Sequence, residues 1–113
     1  MIRLDLKREP YWLDLGHGVR VHVQPCTTAL VMAARSTMLA APAAGPGERT
    51  AALLRALARL AIQQWEGVGD ENGEPAELTG PGVDALMDLW PIAEAFERLY
   101  FAPALLLDEE KNA

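Results

Sequence analysis

Asp70-Glu71-Asn72-Gly73 is a run of oxygen-bearing side chains closed by a glycine, and the chemistry such a run suggests is calcium binding. A calcium loop places its sharp glycine sixth and a bidentate glutamate twelfth. Counted from Asp70, the glycine is fourth and the twelfth residue is Pro81, so the spacing fails and turn formation by Asp-x-Asn-Gly is the better reading. Zinc could be sought in His22, Cys26 and a remote carboxylate, but a zinc site needs three or four ligands, Cys26 is the only thiol, and nothing in the spacing asks for the set. Cys26 with a histidine could also make a nucleophile and its base, helped by a helix N-terminus that lowers the thiol pKa. A small apolar cysteine at the edge of a core is the plainer reading. Ser36, the one serine, falls inside a helical pattern. Gly67, Gly69 and Gly73 resemble a phosphate cradle only in composition, because such loops lead from a strand into a helix and this one leaves a helix. No catalytic residue, metal or cofactor is assigned.

What remains is apolar. Trp65, Trp90 and Phe101 could anchor a binding surface, although each also fits the buried face of a helix. Leu105, Leu106 and Leu107 are consecutive, so they cannot all face one core, and at least one must be exposed or covered by a partner. The candidate partner-binding residues are Trp90, Phe96, Phe101, Leu105, Leu106 and Leu107.

These residues need elements to position them. Ile2, Leu4 and Leu6 alternate with charged residues, and after Glu9-Pro10 a looser alternation runs from Tyr11 to Leu15. Gly16-His17-Gly18 then makes a turn into Val19, Val21 and Val23, which share one face opposite Arg20, His22 and Gln24. The pattern predicts a β-hairpin within about residues 2–25, closed by Pro25. Thr27 or Thr28 can cap a helix carrying Leu30, Ala33, Ala34, Thr37, Met38 and Ala41 on one side. Residues 42–47, Pro-Ala-Ala-Gly-Pro-Gly, read as a flexible linker. From Glu48, Leu53, Leu57, Leu60, Ala61 and Trp65 share a helical face, and the helix is expected to stop at Gly67-Val68-Gly69. Thr79 caps a further helix with Pro81 in its first turn and Val83, Leu86, Met87 and Trp90 on its buried side. Pro91 starts a last helix with Ile92, Phe96, Leu99 and Tyr100, which Pro103 kinks or ends. The expected fold is α+β: an N-terminal β-hairpin followed by about four helices in a small, mainly helical single domain over residues 1–113. The helical region covers about 27–107, and residues 108–113 form an acidic tail.

Composition narrows the class. The chain has 113 residues, half of them hydrophobic but only 6% aromatic, so its core must be built from Ala, Leu and Val. The net charge is −6, which argues against neutralising a phosphate backbone, and the five cations before position 36 are scattered. No nucleic acid is expected as a partner. One cysteine fits a reducing compartment. The N-terminus lacks the apolar centre of a signal peptide and no apolar run is long enough to span a bilayer, so no membrane partner and a cytoplasmic location are expected.

Three stretches together resemble the tail assembly chaperones of tailed bacteriophages, prophages and gene-transfer particles. The first is Leu15-Gly-His-Gly-Val-Arg-Val-His-Val-Gln-Pro25 running into Thr27-Thr28, similar to the family's opening strand and threonine-capped helix. The second is Ile62-Gln-Gln-Trp65-Glu-Gly67-Val68-Gly-Asp70-Glu-Asn-Gly73-Glu-Pro75 with Leu78-Thr79 after it. The third is Val83 to Pro91 leading into Ala93-Glu-Ala-Phe96, like the family's C-terminal helix pair. The likeness covers about residues 12–102 and rests on structural motifs. It implies a non-enzymatic protein of the host cytoplasm that binds the long helical tape-measure protein, helps recruit tail-tube subunits, and leaves before the particle is complete. Self-association is a further possibility. An amphipathic client helix would lie in a hydrophobic groove, and weak binding by many copies along one client would gain from multivalency. The alternative is a small structural virion protein, a connector or tail-completion component.

Overall fold

The computed structural model describes residue 1, residues 9–42 and residues 45–104. The leading alternation at residues 2–8, the leucines 105–107 and the acidic tail 108–113 lie outside the described residues, as do residues 43–44 of the expected linker.

The hairpin forms from β1 (Tyr11–Gly16) and β2 (Val19–Val23), paired antiparallel. Its loop is tighter than expected: only His17 and Gly18 connect the strands, with φ of 56° and 79°. Two consecutive left-handed residues twist the connection the way paired strands twist, which is why such loops favour glycine. Val19, Val21 and Val23 all point into the core, as their alternation requires. Thr27 caps α1 (Thr28–Ala40), its hydroxyl accepting from the Leu30 N–H at 3.2 Å. The expected apolar stripe of α1 is only partly used. Ala34 is its one fully buried residue, while Ala33 and Thr37 are exposed and so are Met32 and Leu39.

Helix α2 begins at Pro46 and ends at Ala61, so Pro46 and Gly47 belong to a helix and not to a linker. Leu54, Leu57, Ala58 and Ala61 are buried, whereas Leu60 lies outside that stripe and is exposed. The helix does not run on to Gly67. Residues Ile62–Glu66 form β3, which pairs antiparallel with β2 and completes a three-stranded sheet in the order β1-β2-β3. Helical spacing puts Leu57, Ala61 and Trp65 on one face, and so does not exclude a strand from Ile62. The deciding interaction is tertiary: the outer edge of β2 needs backbone partners, and residues 62–66 supply them.

Helix α3 (Gly80–Met87) is capped by Thr79, whose hydroxyl accepts from Gly82 N–H at 3.0 Å, with Pro81 in its first turn. Two clips tie it to α2. Arg59 makes two hydrogen bonds to Asp84, at 2.9 and 2.6 Å, and Arg55 lies 3.6 Å from Asp88. Helix α4 (Trp90–Phe96) continues into a single π-helical stretch, Glu97–Phe101, in which the Ala102 N–H reaches back to the Glu97 carbonyl. The chain stays helical through residue 104, so Pro103 does not end the helix. A proline lacks an N–H and crowds the carbonyl four residues back, and Pro103 follows directly on the residue that closes the widened turn, Ala102. Phe96 and Tyr100 stack 4.9 Å apart and are almost wholly buried. The Tyr100 hydroxyl donates to the Gln24 carbonyl at 2.7 Å, fastening the last helix to the end of the hairpin.

The described residues therefore form a three-stranded antiparallel sheet joined by four helices, an α+β fold. No described helix is long and apolar enough to cross a membrane.

Candidate functional site

The segment between β3 and α3 folds back on itself. Asp70 organises it: one carboxylate oxygen accepts from the Asn72 and Glu74 N–H groups at 2.8 and 3.0 Å, and its own N–H donates to the Glu74 carbonyl at 2.7 Å. The oxygen donors thus serve a turn, and among the described residues no group of three or more His, Cys, Asp or Glu could hold a metal ion. Gly69 bridges Pro75, and Ala76 N–H donates to the Val68 carbonyl at 2.9 Å. The Trp65 indole N–H closes the base of the loop on the Ala76 carbonyl at 2.8 Å. Gly67 fits nowhere else: its φ is +79°, and a Cβ there would stand 1.9 Å from the Gly18 carbonyl oxygen at the hairpin tip. A backbone carbonyl cannot move aside as a side chain can, so Gly67 is required for the sheet and the loop to meet.

The second part of the site is the corner between α3 and α4. Met87 ends one helix and Leu89 precedes the next, with no side-chain cap. Pro91 sits in the first turn of α4, where its missing N–H costs nothing. Ile92, Ala93 and Phe96 turn inward, which leaves Leu89 56% exposed and Trp90 67% exposed. On one side of Leu89 an apolar groove of about 360 Å³ runs past His17 and Val19 of the hairpin to Pro91 and Ile92. On the other side a groove of about 410 Å³ is bounded by Trp65, Val68, Ala76, Glu77 and Ala85. Leu86 and Leu89 line both. The hairpin tip, the loop after β3 and the helix corner thus frame one apolar strip, with Trp90 beside it. A smaller depression of about 240 Å³ lies over Met38, Ala52 and Ala56, and its charged residues, Arg55, Arg59 and Asp84, are engaged in the ion pairs between α2 and α3.

Of the residues proposed to bind a partner, Trp90 is displayed at this corner and not on the buried side of α3. Phe96 is fully buried in the core and unavailable. It lies six residues on from Trp90, more than one and a half helical turns, on the inward side of α4. Phe101 is half-buried against the core, and Leu105, Leu106 and Leu107 lie outside the described residues. Leu89 and Val68 were not anticipated, whereas Trp65, which also lines the groove, was among the aromatic residues considered as anchors. The signal for the first was available: Leu89-Trp90-Pro91 is an apolar run across a helix boundary, and the reasoning applied to the three leucines holds there too.

Cys26 and His22 lie in different surroundings. His22 packs against Trp12, 5.0 Å between ring centroids, on the outer side of the sheet, where Arg20 also covers the Trp12 ring and pairs with Glu66. Cys26 instead packs against the core. Burial pushes its thiol up, more than contact with the Tyr100 hydroxyl lowers it, the reverse of the activation expected from a helix N-terminus.

Comparison of the chain with protein-family models, with curated proteins and with solved structures gives no match.

Proposed function

We propose that this protein is a non-enzymatic holder of apolar helices, and that it acts as a tail assembly chaperone for a tape-measure protein. The observation that supports the reading is the strip at the α3–α4 corner. Large apolar side chains, Leu89 and Trp90, stand exposed beside grooves whose floor is already packed. Exposed apolar surface organised around a tryptophan suits a protein partner better than solvent. The resemblance noted in the sequence supplies the identity of that partner: a long helical client kept soluble until tail-tube subunits assemble on it. A shallow groove holds a helix weakly, and many copies bound along one client compensate.

The test is co-expression with a long helical tape-measure protein. The expected outcome is a soluble client that co-purifies with the chain. A client that stays insoluble, with no complex in the soluble fraction, overturns the reading. Stoichiometric recovery of the chain in purified particles would replace it with a structural virion role.

A further inference from the structure

The grooves beside Leu89 carry a second property, their charge. Residues 60–97 contain nine Asp and Glu and no Lys, Arg or His. Four of these acids are spoken for by ion pairs, Glu66 with Arg20, Asp84 with Arg59, Asp88 with Arg55 and Glu94 with Arg98. Four of the remaining five, Asp70, Glu71, Glu74 and Glu77, fall within eight residues, and among the described residues no ion pair engages them. Glu77 lines the larger groove, and Gly69, also part of its lining, leads directly into the turn holding the other three. One side of the apolar strip is therefore rimmed by uncompensated negative charge.

The backbone decides the shape of the occupant. An extended peptide would need an open strand edge, but along this loop the Val68 carbonyl already accepts from Ala76, and Gly69 is bridged to Pro75. Along this wall the groove offers apolar side chains and little free backbone. An occupant must satisfy its own N–H and C=O groups, as a helix does.

We infer that the strip between Trp65, Val68 and Leu89 docks an amphipathic helix whose polar face is cationic, with lysines or arginines meeting the Asp70–Glu77 turn. This names the client segment of the function proposed above and rests on that reading for its biological meaning, but the binding itself is testable without it. Apolar contact supplies the affinity, and charge selects the partner and its orientation.

The probe is a fluorescein-labelled synthetic helix of about 18 residues, leucine on one face and lysine on the other, compared with a version carrying glutamate for lysine. Anisotropy should report binding of the lysine helix only, weakened about tenfold by raising salt to roughly 0.5 M. Glu74→Lys with Glu77→Lys should lower affinity about tenfold or more. Glu48→Lys with Glu9→Lys, the same change in net charge away from the groove, should leave it within about twofold. Leu89→Ser with Trp90→Ser, at exposed positions and checked for an unchanged thermal unfolding midpoint, should abolish binding. Equal binding of both helices, or lysine-helix binding unchanged by the Leu89 and Trp90 substitutions, overturns the inference. If the lysine helix binds as described while a tape-measure protein is not held, the docking site stands and the chaperone reading falls. If the client is held but is indifferent to Glu74→Lys with Glu77→Lys, the chaperone reading stands and the cationic selection falls.

Discussion

Trp65 and Trp90 began with the same description, a tryptophan at helical spacing after leucines, and the fold uses them in opposite ways. Trp65 lies in a strand, hydrogen-bonded through its indole N–H to Ala76 and pressed against Gly82, where a Cβ would come within 2.9 Å of its ring. Trp90 opens a helix and is two-thirds exposed. The difference is set by what flanks each. Ile62–Glu66 have an open strand edge to join, which turns Trp65 toward the loop it closes. Trp90 follows a corner at which Ile92 and Phe96 already fill the inward positions. A tryptophan's type predicts that it is used; its neighbours' burial decides whether the fold or a partner uses it.

The comparison can be broken first at Phe96. If this residue served a partner, Phe96→Ala would fold normally; buried as it is, truncation should cost about 3–5 kcal/mol, read as a fall in urea midpoint. Gly67→Ala comes next. A left-handed backbone costs an alanine about 1–2 kcal/mol, and the clash with the Gly18 carbonyl adds about 1–3 kcal/mol, so the thermal unfolding midpoint should fall by about 10 °C or more. Trp65→Phe keeps an aromatic side chain but removes the indole N–H, which strands the Ala76 carbonyl, and trims the ring at Gly82; chemical denaturation should show a loss of at least about 1–2 kcal/mol. Trp90→Ala should change stability by less than about 0.5 kcal/mol in the same assay; a larger loss would mean that Trp90 serves the fold after all. The smallest effect belongs to the clip behind the corner. The Arg59 guanidinium holds the Asp84 carboxyl below its usual range. Its contribution is therefore present above the ordinary carboxylate pKa and fades as pH falls through the lowered value. Asp84→Asn should flatten the acid limb of a stability–pH curve, the variant being the less stable at neutral pH and the difference vanishing at acid pH.

Much of this was legible before any coordinates. The hairpin, both threonine caps, Pro81 in a first turn and the Asp70 turn follow from local chemistry, because a cap or a tight loop is decided by a few adjacent residues. What escaped was non-local. The third strand depends on β2 offering an edge, and nothing within residues 62–66 announces that. The apolar stripe on α1 was misjudged because helical spacing shows which residues align and not how many neighbours will cover them. The site was half legible. Of the aromatic residues expected to meet a partner, Trp90 is exposed and Phe96 is buried, and the groove joins segments far apart in sequence, from His17 to Ile92.

The π-helical stretch at Glu97–Phe101 has a consequence for how this chain can change length. A π turn is an α-helix with one residue too many, and deleting a residue there would restore regular winding. It would also move the side chains between the deletion and the end of the stretch by up to about 100° about the axis, the turn of one residue. Tyr100 would lose its stack on Phe96 and its grip on Gln24 together. A change of identity in this stretch can be absorbed one side chain at a time, whereas a change of length cannot. Between Phe96 and Ala102 the spacing is as much a part of the core as the side chains.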